Sequence, residues 1–514
     1  MDPVTLTGWD LTPETLAAVA RDGIEVALAP EGLARMAASR AVVEQHLAEN
    51  KPVYGLTTGL GSRVTHRLDH ADHAAFSLRT VRGRSVGLGS PLPEDVVRAV
   101  MAVRLNGLLA GGAGASQGVA DSLAALLNRQ AHPVIPSIGS IGAADLCLMA
   151  HLGLALVGEG EIVVAGERLP AAEALQRVGL EAITLQPKDG LAICNASAVS
   201  AGQAALAIAD AEDLLVVAQS AAALSLEGFR ANLSPSDPRV AQARPQPGQD
   251  WAAASLRALL DGGRLFEPDA ARRLQDPISL RCVVPIHGCL RAVIDFARPA
   301  VMAELNGAAD NPLVLVEDRD ILSTGNFMTP LLALSMDSLS QAVAQVAALS
   351  LGRSAKLLIE RLSGLPANLS PHGAERSGFA PLLKAGESLM AQIRHAANPV
   401  PAEPRWAADS VEDEVTNAPL AARNAAETLW RARLMLAIEL IIAAQAVDLA
   451  QPEAIGHGAK IARDAVRDLI APLDDDRAFG VEVERLDRTL LAGGSLARTM
   501  RDAVPAFAAC TKVQ

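Results

Sequence analysis

Aromatic side chains are scarce in this chain: 3% of 514 residues, with four Trp, one Tyr and eight Phe. Sheets draw on aromatic and β-branched residues, so this shortage, beside 50% hydrophobic content rich in Ala and Leu, directs the chain toward helices. Positive charge is also short. Lys and Arg number 45 against 58 Asp and Glu, a formal net charge of −13. That balance argues against a nucleic-acid partner and against an anionic membrane surface. The cysteines (Cys147, Cys194, Cys282, Cys289 and Cys510) are few, odd in number and without zinc-ligand spacing. Reduced thiols and a cytoplasmic location are expected. The start Met1-Asp-Pro-Val lacks a basic stretch followed by an apolar one, so no secretory leader is expected. Neither glycine-rich turn ends in Gly-Lys-Ser/Thr, which excludes a phosphate loop, and there is no internal repeat.

Two long apolar runs are present. Leu191–Ala209 is interrupted by Asn195, Ser197, Ser200 and Gln203, and Leu434–Ala450 carries Glu439 and Asp448. Both read as buried core helices rather than membrane spans. Helix starts are signalled at Thr12-Pro13-Glu14-Thr15 and at Pro30-Glu31-Gly32. A helical pattern covers 97–109, and 161–169 alternates like a small hairpin. Long helical patterns then occupy 191–229, 292–305, 328–363, 376–395 and 414–450. The expected organisation is a mixed head, 1–190, on a mainly α bundle, 191–514. His66, His70 and His73 fall at i, i+4, i+7, but the adjacent Arg67, Asp69 and Asp72 favour a solvated polar helix, and no metal site is expected.

The most informative stretch is Pro136-Ser-Ile-Gly139-Ser-Ile-Gly142-Ala-Ala-Asp145, a glycine turn feeding a helix whose N–H groups would face a ligand. It resembles the signature of the histidine and aromatic amino-acid ammonia-lyases, Gly-Ser-Val/Ile-Gly-Ala-Ser-Gly-Asp-Leu. Further segments match that family in order. Tyr54-Gly-Leu-Thr-Thr-Gly-Leu-Gly61 is similar to its lid motif, whose tyrosine is the catalytic base. Lys188-Asp-Gly-Leu-Ala-Ile-Cys-Asn195 resembles the segment whose Asn contacts the reacting amine. Gln275-Asp-Pro-Ile278-Ser-Leu-Arg281 resembles the one whose Arg binds the substrate carboxylate. Asp310-Asn-Pro312 and Gly325-Asn-Phe327 also match, and Val411-Glu412-Asp413-Glu414-Val resembles Gln-Glu-Asp-His-Val, whose Glu marks lyases of imidazole side chains. The resemblance implies the aspartase/fumarase-like helical fold and a homotetramer with active sites built from three chains. It makes Tyr54, Asn195, Arg281 and Glu412 candidate catalytic residues. Gly61, Arg84, Gly142, Ala143, Asn306, Phe327 and Lys384 are candidates for substrate binding, with cation–π contact offered by Phe327 or Trp406.

The departures carry the functional reading. In the family an inner Ala-Ser-Gly cyclises to an electrophilic methylidene-imidazolone; here Gly142-Ala143-Ala144-Asp145 has no Ser. Ile278 replaces a second tyrosine, Met328 and Glu414 replace histidines, and Arg84 stands where the family often has one. A neutral amine leaves badly without an electrophile. A quaternary trimethylammonium carries full charge and departs as neutral trimethylamine. The expectation is therefore a trimethylammonia-lyase of the ergothionase branch, without cofactor, converting ergothioneine or hercynine to a (thio)urocanate. Two alternatives stay open: a conventional methylidene-imidazolone-dependent histidine or aromatic ammonia-lyase, and a non-catalytic ligand-binding paralogue.

Overall fold

The computed structural model describes residues 2–69, 72–401 and 409–508. His70, Trp406 and Cys510 lie outside them. The described chain is mostly helical. It forms two compact units, each assembled from three segments. The first comprises Met1–Ala209, Ala297–Met336 and Pro399–Arg423; the second comprises Asp210–Phe296, Asp337–Asn398 and Asn424–Gln514. The division expected at 190 is thus replaced by an interleaved one.

In the first unit Thr12 caps helix Pro13–Arg21, its hydroxyl accepting from Thr15 N at 3.2 Å, with Pro13 in the first turn where a missing N–H costs nothing. Helix Glu94–Leu109 is buried at every residue from Val97 to Leu109. Two of its buried cations find internal partners: Arg104 Nη2 pairs with Asp310 at 2.8 Å, and Arg98 donates to the carbonyls of Val19 and Leu127. The expected hairpin is present as Glu161–Val164 paired with Glu167–Pro170. A short antiparallel pairing of Leu88–Pro91 with Pro136–Ile138 delivers the chain into the Gly139–Asp145 turn.

In the second unit the core is dominated by small and branched aliphatics. Within it Arg353 and Glu439, both fully buried, form a two-pronged pair (Nε–Oε1 2.6 Å, Nη2–Oε2 2.9 Å), and Ser225 donates to the same carboxylate at 2.6 Å. Helix Ala380–Ala396 starts later than the 376 its pattern suggested. Asp476 accepts from Ser377 N and Gly378 N at 2.8 and 2.9 Å, holding those amides outside the helix.

Two helical stretches among the described residues are long and apolar enough to cross a bilayer by length and composition. The apolar window of Asp189–Phe229 is wholly buried, and that of Pro330–Leu357 is 61% buried. The polar helix expected around His66–His73 is not formed. His66 is exposed in a loop where its carbonyl accepts from Gly59 N at 3.0 Å, and the helix begins only at His73, which is buried. The two imidazoles share no helix face, and no group of metal-ligating residues occurs among the described residues.

Candidate active site

The lid loop is closed around Val53. Its carbonyl accepts from the amides of Leu56, Thr57 and Thr58, while the Thr57 hydroxyl donates to Lys51 O at 2.6 Å and accepts from Val53 N at 2.8 Å. Val53 and Leu56 anchor it by packing with Val42, Val43 and Val314. Tyr54, half-buried, is left to project from this frame, and Gly61 N–H donates to its phenol oxygen at 2.9 Å. Gly55 has φ +65°, and a Cβ there would meet Leu191 at 2.5 Å. The loop therefore lies against helix Asp189–Cys194, whose C-terminal cap is Asn195.

The Gly139–Asp145 turn is held from three directions. Ala144 N donates to Phe327 O, and Asp145 N to Ala196 O, each at 3.0 Å. Ile141 O accepts from Thr416 N and Asn417 N. The Thr416 hydroxyl donates to Gly142 O at 2.8 Å, while Gly142 N donates to Ser140 Oγ at 3.1 Å. Of the four amides from Gly142 to Asp145, only that of Ala143 keeps no acceptor among the described residues. This corrects the expectation that the whole turn aims its N–H groups at a ligand. Asp145 stands at the N-cap of helix Leu146–Leu156 but does not cap it. Its buried carboxylate accepts from Ser140 Oγ at 2.8 Å, Ser200 N at 2.8 Å and Ser200 Oγ at 3.0 Å. Burial pushes this carboxyl up, and those donors oppose the shift. Glu304 lies within range of the Asp145 charge. Burial first, then that charge, push its carboxyl up to about 7.

One segment joins lid and turn. Asp409 accepts from Ser62 Oγ at 2.8 Å, and seven residues on Thr416 holds Gly142. Glu412 sits between the two, exposed in the single chain. Cys147, the second residue of the helix after Asp145, feels both Glu412 and Arg84. Burial raises its thiol, Glu412 adds to the rise and Arg84 counters it. Cys194 is buried beside the same Arg84 and is pushed up to about 12, chiefly by burial. Asn195 is fixed by its amide donating to Asn311 O at 2.5 Å. Lys188, in the left-handed conformation with φ +75°, is buried with its ammonium donating to Ala113 O and Pro312 O, and burial lowers it to about 8.

Tyr54, Gly61, Arg84, Gly142, Ala143, Asn195, Phe327 and Glu412 all belong to the first unit, with Arg84 and Glu412 linked to the turn by their charge effects on Cys147 rather than by a bond. Asn306 is removed from the binding set. Its amide is spent on Leu11 N (2.8 Å), Leu11 O (2.9 Å) and Asn106 Nδ2 (3.2 Å), which fasten the N-terminal segment. Arg281 and Lys384 belong to the second unit. Arg281 ends the short helix Ile278–Arg281, and its Nε is buried without a partner among the described residues; Lys384 is exposed on helix Ala380–Ala396. Thr416, Ser200 and the Phe327 carbonyl are the turn's supports that sequence reading missed. Only the Asn-Phe and Glu-Asp-Glu motifs beside them hinted at their place.

A methylidene-imidazolone does not fit this turn. Its formation expels a serine hydroxyl between two flanking peptides, and positions 143 and 144 offer only methyl groups. The Ser140 hydroxyl is engaged by Asp145, the Ala144 carbonyl and Gly142 N.

The profile of the family described as aromatic amino acid lyase matches residues 11–468. The chain is 37% identical over 487 residues to a histidine ammonia-lyase of Symbiobacterium thermophilum, covering 95% of this chain and 96% of that one. A histidine ammonia-lyase of Anaeromyxobacter sp. strain K is also 37% identical, over 96% of this chain and 99% of its own. Among solved structures, ergothionase from Treponema denticola in complex with desmethyl-ergothioneine sulfonic acid superposes with a TM-score of 0.90 at 30% identity, covering 96% of this chain and 99% of that one. Histidine ammonia-lyase from Trypanosoma cruzi superposes with a TM-score of 0.92 at 29% identity, covering 100% and 98%. With the ammonia-lyase fold and its long helical bundle in place, the chain belongs to the aromatic amino acid lyase family, the carbon–nitrogen lyases that include the histidine ammonia-lyases.

Proposed function

We propose that the protein is a trimethylammonia-lyase that eliminates trimethylamine from a histidine-derived betaine, ergothioneine or hercynine, to give a thiourocanate or urocanate. The observation that carries this reading is the Gly142-Ala143-Ala144-Asp145 turn, which supplies no serine for an electrophile. A substrate whose nitrogen is already quaternary needs none, and it has no lone pair to attack one.

In this reading Tyr54 takes the β-proton as phenolate, oriented by Gly61 N–H. The C–H electron pair forms the Cα=Cβ bond, the Cα–N bond breaks and neutral trimethylamine leaves. Glu412 accepts the ring N–H, and the Ala143 amide and Asn195 stabilise charge developing on the substrate. Arg281 clamps the carboxylate and Lys384 meets carboxylate or sulfur, both supplied by other copies in a homotetramer. The buried, unpartnered Nε of Arg281 and the exposure of neighbouring Leu274 (92%) and Ile278 (63%) support a covered face there. The likeness to the Treponema denticola ergothionase supports the substrate class. Identity to enzymes named histidine ammonia-lyase favours a second reading, release of ammonia from histidine.

Incubation of the purified protein with ergothioneine, hercynine and histidine separates the two. Trimethylamine and a urocanate ultraviolet band from a betaine, with an intact mass lacking the loss of two waters, is the expected result. Ammonia from histidine with neither betaine turned over overturns it.

A further inference from the structure

In the second unit a cavity of about 330 Å³ opens between the end of the 198–229 helix, the 264–270 loop and the 450–454 segment. At roughly 30 Å³ per water this is room for about ten non-hydrogen atoms. Glu227 lines it and is only 2% exposed. Its Oε1 accepts from Gly456 N at 2.8 Å, and no hydrogen bond from the described residues reaches Oε2. The backbone is pressed close to make this arrangement: a Cβ on Gly263 would lie 2.7 Å from Oε1 and 2.6 Å from Gly456 N.

The cations around the cavity are already engaged. Arg264 pairs with Glu267 at 2.7 Å and with Glu453, and Arg230 donates twice to Ala270 O, at 3.1 and 3.0 Å. Neither of these sets of bonds reaches the Glu227 carboxyl, which shares the wall with Asp269. A largely buried carboxylate with one oxygen facing the cavity suits an N–H-bearing cation, since no described side chain bonds to that oxygen. The remaining walls, among them Leu265, Pro268, Pro452 and Ala454, suit a short alkyl or ring body. Burial pushes the Glu227 carboxyl up to about 7, opposed by the Gly456 N–H. A bound cation would reverse that rise.

We infer that this cavity is a binding site for a small organic cation with N–H donors, a primary ammonium in the first instance, held by Glu227 Oε2. The site is independent of the proposed reaction. Its residues are not part of the lid, turn or Glu412 assembly.

Calorimetric titration of the full-length protein near pH 8 with propylammonium chloride tests this, with tetramethylammonium chloride as the N–H-free control. The expected result is one propylammonium per chain, at least tenfold weaker binding in Glu227→Gln, and no comparable binding of tetramethylammonium. Glu227→Gln keeps an acceptor for Gly456 N. If that variant does not fold, Ala454→Leu narrows the cavity from an exposed wall position and must weaken binding likewise. No heat with propylammonium, undiminished binding in the folded variant, or equal binding of tetramethylammonium overturns the inference.

Discussion

The hydroxyl of Thr416 donates to the carbonyl of Gly142 at 2.8 Å, and a Cβ on Gly142 would lie 2.0 Å from that same oxygen. The two residues are 274 positions apart, and their contact sets the shape of the turn. Gly142 also has φ +80°. Gly142→Ala is thus doubly opposed, by backbone conformation and by overlap. We expect it to cost about 1–3 kcal/mol in denaturant unfolding. Turnover should fall at least tenfold, because the Ala143 amide moves with the turn.

Tyr54→Phe removes only the oxygen that Gly61 N–H meets, leaving the Val53-centred loop intact. Under the proposed mechanism kcat falls by roughly 10²–10⁴-fold, the usual range for loss of a general base. Circular dichroism and melting temperature should be unchanged. A variant with full turnover would remove Tyr54 from the chemistry.

Glu304 gives stability a pH dependence of known sign. Its carboxyl ordinarily titrates at 4.5 and is pushed up to about 7 in the folded chain. Between those values the folded state binds more protons than the unfolded one, so stability falls as pH rises through that window. The penalty is absent below the lower value and complete above the upper. Glu304→Gln should flatten this slope and raise stability near pH 8 by something on the order of 1–3 kcal/mol, with little change near pH 4. Urea midpoints across that range measure it.

Arg353 and Glu439 are both 0% exposed, so removing either strands the other's charge. Arg353→Met and Glu439→Leu should each cost about 3–5 kcal/mol, while the double variant Arg353→Met with Glu439→Leu recovers much of that loss. The coupling follows from a double-mutant cycle on thermal or denaturant unfolding.

Periodicity read the helices well and their interruptions poorly. The pattern over 191–229 contains no proline and runs on without a break, yet the chain leaves the helix at Asn195 and resumes at Ala198. The cause is tertiary. The Asn195 side chain is drawn to Asn311 O, and Ala196 O is taken by Asp145 N, so that carbonyl serves a distant partner instead of the helix. Asn306 shows the converse. The family resemblance made it a candidate for substrate binding, but its amide is consumed by Leu11, a partner no motif announces.

The residues alone determined that this is a helical, acidic member of a lyase family whose electrophile-forming serine is missing, because composition and short motifs carry that information locally. Tertiary structure decided which motifs meet. Asp409 reaches Ser62, Thr416 reaches Gly142, and Phe327 O takes Ala144 N, placing Glu412 between lid and turn. It also decided that, among the described residues, the Ala143 amide alone of the four from Gly142 to Asp145 has no acceptor. Such pairings join segments far apart in the chain, and those of Thr416 with Gly142 and Phe327 with Ala144 each end on a backbone N–H or C=O group. Every residue but proline carries both, so side-chain identity does not encode which will find which.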